Sequence, residues 1–317
     1  MKNSRDEYID TVAGFMILWM IFLHIQKLSN FDLIPSRYVP FLPFFMMWFF
    51  YKSGMYHKVL DFKTLANASI KRLLVPYAIF SFIGIISGTI ITLYKNESLI
   101  DLYIGSVYQF IVMGGVFSNM PIWFLLSLFC VRIVFNYFEI INMGKACIGI
   151  AVVVAFLLAL IGVTKPPYFG NICLGLFFYG LGYYLKQIQF KQSIFLISIS
   201  LYFLFYLFHP SNIDVRANLC NLGTYLGAVV GGVFAIIAIN NLSRCIISLR
   251  PLTYLGQHSM IYYLCHWIIL KQVQTYVSAS PQELFLIMCL ACIILLPVID
   301  RIICMTNNRW IVGEKDC

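Results

Sequence analysis

The run LWMIFLHIQK, residues 18–27, sets one ionisable ring, His24, near the end of an otherwise apolar and aromatic segment. An imidazole titrates close to neutral pH, and ionisable groups are costly in apolar helices. Its retention there points either to proton chemistry or to a hydrogen bond with a neighbouring helix. Asp10 stands fourteen residues earlier. On a helix that spacing puts the carboxylate about 40° around from the imidazole and roughly 21 Å along the axis, so one polar face joins them. A second ring, His266, lies eight residues past His258 in the apolar run 259–270, where an imidazole needs a partner. His57 and His258 fall between apolar runs and read as solvated loop residues; His209, next to Pro210, reads as solvated or as lining an entrance.

The segments that must position these rings are apolar throughout. Hydrophobic residues make up 61% of the 317, charged ones 11%, and the mean hydropathy is +0.85, which excludes a soluble domain of this length. The composition predicts an all-α polytopic membrane bundle, because a helix of roughly 20 apolar residues satisfies every backbone amide where water is absent. Apolar runs predict about ten spans, at about 8–26, 39–56, 73–94, 120–141, 146–164, 168–186, 193–209, 217–241, 252–274 and 283–304. The stretch 101–117, DLYIGSVYQFIVMGGVF, is richer in Tyr and Gly and reads as an interfacial or re-entrant helix.

With the amino terminus inside, sixteen Lys and Arg fall on inner segments and six on outer ones. That bias predicts both termini in the cytoplasm and a multi-pass protein of the cytoplasmic membrane. The net charge of +9 then reports topology and contact with anionic lipids, and gives no support to nucleic-acid binding. Asp6, Glu7 and Asp10 ahead of the first apolar run argue against a cleavable leader, and residues 1–317 read as one membrane domain. Cys289 and Cys292 form a CxxC without a second pair or a nearby histidine, so they read as small apolar filler; no metal site is expected. The spacings Gly84/Gly88 and Gly227/Gly231 suggest close helix packing.

Several stretches carry a resemblance. RDEYIDTVAGFMILWMIFLHI resembles the first segment of the membrane-bound acyltransferase family 3, integral membrane enzymes that O-acylate cell-surface sugars. FLPFFMMWFFYKSGMYHK is similar to the aromatic second span ending at Ser53 and Gly54. IKRLLVPY resembles the basic third span with Arg72 and Pro76, and PIWFLLSLF the entry to a later span at Trp123 and Phe124. LGQHSMIYYLCHWIIL resembles the segment with Ser259, Tyr262 and His266. One departure stands out: the family's first-helix basic residue, eleven positions before the histidine, is Ala13 here.

The resemblance implies an O-acyltransferase, most simply an O-acetyltransferase, with acyl-CoA as donor substrate and no tightly bound cofactor. The acceptor is a cell-surface glycan or lipid-linked sugar. It makes His24 the catalytic histidine, as general base or as transient nucleophile, the former preferred, and groups with it Asp10, the family's acidic residue, as a helix cap or partner of a cation in preference to a member of the proton transfer. The phosphates of the donor should bind where basic residues gather, on the stretch 52–72, with Lys52, Ser53, Lys71 and Arg72. Trp123 is then a belt aromatic or a sugar platform, and Tyr262 and His266 fall on the acceptor side. Lys52, Lys71, Arg72 or Arg5 could supply the cation missing at Ala13. The alternatives are a transporter relaying protons through its histidines, or a relative whose turnover is altered by that loss.

Overall fold

The computed structural model describes residues 7–34, 44–116, 118–162, 168–186, 188, 192–208, 214–216, 218, 222–245 and 249–313. Among these the regular elements are all helical, and no β-strand is formed. The order is α1 (Glu7–Ser29), α2 (Phe45–Met55), α3 (Phe62–Ser69), a π-helical segment (Ile70–Leu74), α4 (Val75–Tyr94), α5 (Leu99–Met113), a 3-10 turn (Met120–Ile122) and α6 (Trp123–Ile140). Next come α7 (Gly144–Leu160), α8 (Tyr168–Leu185), α9 (Gln192–Phe208), α10 (Leu222–Cys245), α11 (Arg250–Gln257), α12 (Ser259–Tyr276), α13 (Pro281–Met305) and a closing 3-10 turn (Arg309–Val312).

Among the described residues, four stretches are both long and apolar enough to cross a membrane: Glu7–Ser29, Phe62–Tyr94, Met120–Ile140 and Pro281–Met305. The 23 residues of α1 rise roughly 34 Å, enough for hydrocarbon about 30 Å thick. Several other apolar helices are shorter, α5 and α7 among them. At 15 residues, α5 rises only about 22 Å; Ser98 caps its start by accepting from the Asp101 amide, and Gly114, at φ 72°, ends it in the left-handed region.

Two expected spans differ in outline. The span expected at 252–274 is two helices, α11 and α12, separated at His258, whose backbone (φ −104°, ψ 16°) leaves the helical register. Hydropathy averages across such a break. The span expected from 73 begins at Phe62 and passes through the π segment before α4. Pro76 has no amide hydrogen to give the Arg72 carbonyl four residues back, and the Val75 amide instead reaches the Ile70 carbonyl, five back. That register defines a π bulge.

The chain divides into two compact units: residues 1–16, 34–65 and 130–257 form one, and residues 17–33, 66–129 and 258–317 the other. In the first unit, α2 lies along α8, α7 along α8, and α9 along α10. The α2–α8 contact is backbone to backbone: a Cβ on Gly54 would stand 1.9 Å from the Tyr179 carbonyl oxygen, and one on Gly182 2.0 Å from that of Tyr51. Such approach between apolar helices needs small residues. The amino-terminal part of α1 meets α11 in the same way, through Gly14 against Leu252 and Gly256 against Asp10. In the second unit, α12 packs on α13 and α4. Gly84 of α4 receives Val116 and Asn119 of the segment before α6, and Gly88 receives Ser118 of that segment together with Leu102 of α5.

Candidate functional site

In the second unit His24 and His266, 242 residues apart, meet directly: His24 Nδ1 lies 2.9 Å from His266 Nε2. The two rings are nearly coplanar in orientation, 4° apart with centroids at 5.1 Å, and Trp267 stands edge-on to His24 at 4.9 Å. His266 is fully buried, whereas His24 is half-buried. His266 Nδ1 lies 2.7 Å from the Tyr263 carbonyl oxygen and 3.0 Å from that of Tyr262. A carbonyl only accepts, so this nitrogen carries the hydrogen. In the neutral ring Nε2 then holds a lone pair, the hydrogen between the rings belongs to His24 Nδ1, and His24 Nε2 is left as the basic nitrogen. Two backbone carbonyls thus fix, through His266, which nitrogen of His24 can take a proton.

The surroundings are set by α12. Tyr262 is buried and contributes one of these two carbonyls. The Tyr263 hydroxyl donates to the Pro121 carbonyl, and its ring meets Phe124 at 6.0 Å. Trp123 is 6% exposed and edge-on to Phe124. Its ring is thus enclosed.

Asp10 and Lys52 meet in the first unit. Lys52 Nζ lies 3.7 Å from Asp10 Oδ1, the carboxylate being almost wholly buried, and Lys52 also sits over the Trp48 ring at 5.8 Å. Trp48 donates its indole N–H to Asn240. Ser53 donates its hydroxyl to the Phe49 carbonyl one turn back, at 2.9 Å. Ala13, one turn after Asp10 on α1, is completely buried. Lys71 and Arg72 are exposed on the π segment of the second unit. Arg5 and His209 lie outside the described residues.

Two histidines expected to be solvated are not. His57 is 3% exposed; its Nδ1 lies 2.8 Å from the Tyr179 hydroxyl, and Phe135 and Tyr183 stand edge-on to the ring. Burial first, then the charges of Arg132 and Lys186, hold its pKa down to about 4, so the ring is neutral. His258 donates from Nδ1 to Asp300 Oδ2 at 2.6 Å, and Asp300 is fully buried. Hydropathy near each ring suggested a loop; the partners lie 122 and 42 residues away and left no local signal.

The sequence matches the acyltransferase family 3 model, described as an acyltransferase domain, over residues 6–301. A helical protein with long apolar helices, it is a member of that membrane acyltransferase family. No curated protein and no solved structure matches it.

Proposed function

We propose that this acyltransferase moves an acyl group, most simply acetyl, from cytoplasmic acyl-CoA to a hydroxyl of an extracytoplasmic polysaccharide or lipid-linked sugar. His24 is the general base. The single observation that supports this most is the ordered chain from the Tyr262 and Tyr263 carbonyls through His266 to His24, which leaves Nε2 of a half-buried imidazole as the proton acceptor. His24 Nε2 takes the proton of the sugar hydroxyl as its oxygen attacks the thioester carbonyl. The tetrahedral adduct collapses to the ester, the C–S bond breaks, and the imidazolium returns its proton to the departing CoA thiolate. Atoms and charge balance, and the imidazole ends as it began.

The remaining assignments belong to the same reading. The protein crosses the cytoplasmic membrane ten times with both termini inside, as the Lys and Arg bias favours. Lys71 and Arg72 bind the donor's phosphates, by charge and by hydrogen bonds to phosphate oxygens. Lys52 supplies the cation missing at Ala13, since it pairs with Asp10 one helical turn from that position. Trp123, Tyr262 and His266 serve the acceptor side, His266 by positioning His24.

Membranes carrying the wild-type chain should release free CoA thiol from acetyl-CoA in the presence of acceptor, and His24→Gln membranes should not. Equal release from both would remove His24 from the reaction. The small residue at Ala13 favours one second reading, a family member whose turnover is altered; thiol release absent from the wild type with every acceptor offered would support it.

A further inference from the structure

The carboxyl-terminal turn makes two fixed contacts in the second unit that the mechanism does not use. The first is at Arg309. A fully buried carboxylate is costly unless its oxygens are paired, and Asp300 engages both: Oδ2 takes the His258 hydrogen at 2.6 Å, and Oδ1 lies 3.5 Å from Arg309 Nη2. Arg309, itself 5% exposed, is thereby tied to α13 and to the residue that caps α12. The second contact is at Gly313. Its φ of +72° lies in the left-handed region, and a Cβ there would stand 2.1 Å from the Arg72 carbonyl oxygen. That oxygen is the one Pro76 cannot serve, for want of an amide hydrogen. The turn therefore seats glycine backbone on the π bulge, where no other residue fits.

The bulge decides where two cations point. Lys71 and Arg72 both lie within Ile70–Leu74, and one extra residue in a helical turn rotates the preceding part of the helix by about 100° relative to the succeeding part. Were the segment to relax to α-helical register, both side chains would swing around the axis of α4. We propose that the turn formed by residues 309–313 is a brace for this bulge, and that Arg309 and Gly313 are positioning residues holding Lys71 and Arg72 in the orientation that binds the donor's phosphates. The proposal rests on the donor-site reading above. The bracing residues 309–313 lie beyond the stretch 6–301 matched by the family.

The test uses the full chain, purified in detergent, with radiolabelled acetyl-CoA as probe and amide hydrogen exchange over residues 70–75 as a local readout. Gly313→Ala and Arg72→Ala should each weaken acetyl-CoA binding by about tenfold, the scale of one charged hydrogen bond. Adding Gly313→Ala to Lys71→Ala/Arg72→Ala should weaken binding little further, because the brace acts through those two side chains. Gly313→Ala should also speed exchange at 70–75. Arg309→Gln, which places no new atom against Arg72, should do the same and carries the test if Gly313→Ala does not fold. Multiplicative losses when Gly313→Ala is added to Lys71→Ala/Arg72→Ala, or unchanged exchange at 70–75 in both brace variants, would overturn the brace. Wild-type affinity in Arg72→Ala would instead remove the donor-site reading, and the positioning role with it, so the two failures are told apart.

Discussion

Replacing His266 by phenylalanine isolates its proposed positioning role without touching the proposed base, His24. The change keeps a ring against the Tyr262 and Tyr263 carbonyls but removes the acceptor 2.9 Å from His24 Nδ1. A buried donor left without its partner costs about 1–3 kcal/mol, and His24 is then free to turn or to carry its hydrogen on Nε2, where it cannot act as base. If that cost falls on the transition state, turnover drops by about 5- to 150-fold. Removing His24 itself should cost more, about 10²–10⁴-fold, the usual contribution of a general base. His266→Gln should fall between wild type and His266→Phe, since its amide oxygen can still accept from His24 Nδ1. The assay is the initial rate of acyl transfer from acetyl-CoA in membranes, normalised to folded protein, with KM for the donor measured alongside and expected to stay near wild type. A wild-type rate in His266→Phe, or a His266→Gln rate no better than that of His266→Phe, would refute the tautomer argument.

Other outcomes rest on the same contacts. His57 stays neutral when folded down to about pH 4 against an ordinary value of 6.5, so between these values the unfolded chain binds a proton that the folded one does not. Stability therefore falls as pH drops through this window, by about 3 kcal/mol in all; thermal unfolding of His57→Phe in detergent should be flatter than wild type from pH 6.5 to 4, and parallel curves would count against the burial argument. Lys52→Met removes the ion pair of a buried carboxylate and should cost about 1–3 kcal/mol of stability; an unchanged stability would dissociate Lys52 from Asp10. Ala13→Arg forces a long cation into a fully buried position and should lower the unfolding temperature and the yield of monodisperse protein. A well-folded Ala13→Arg protein with tighter acetyl-CoA binding would contradict the assignment of Lys52 as the substitute cation.

The helical class was readable because it depends on average composition, which the solvent dictates wherever the sequence is apolar. His24 was readable for a related reason: a lone imidazole in such a run has a cost visible locally. Its partner was suspected only as a ring in need of a bond, since the contact with His266 joins residues 242 apart. His57 and His258 were misread because hydropathy locates segment ends, whereas burial there is set by Tyr179 and Asp300 on distant helices. The break between α11 and α12 escaped for another reason. Gly256 fits against the Asp10 carbonyl, where a Cβ would stand 1.7 Å away, and a window average is blind to that close approach. Pro76 carried a local sign of irregular helix, but the brace that exploits it comes from the far end of the chain.

Whether His24 Nε2 takes the proton of a sugar hydroxyl during acyl transfer can be read from mass spectrometry of surface glycans from cells expressing the wild-type chain or His24→Gln at equal levels. The glycan repeat should be heavier by one acyl group with the wild type and unmodified with His24→Gln. Identical modification in both would remove His24 from the reaction.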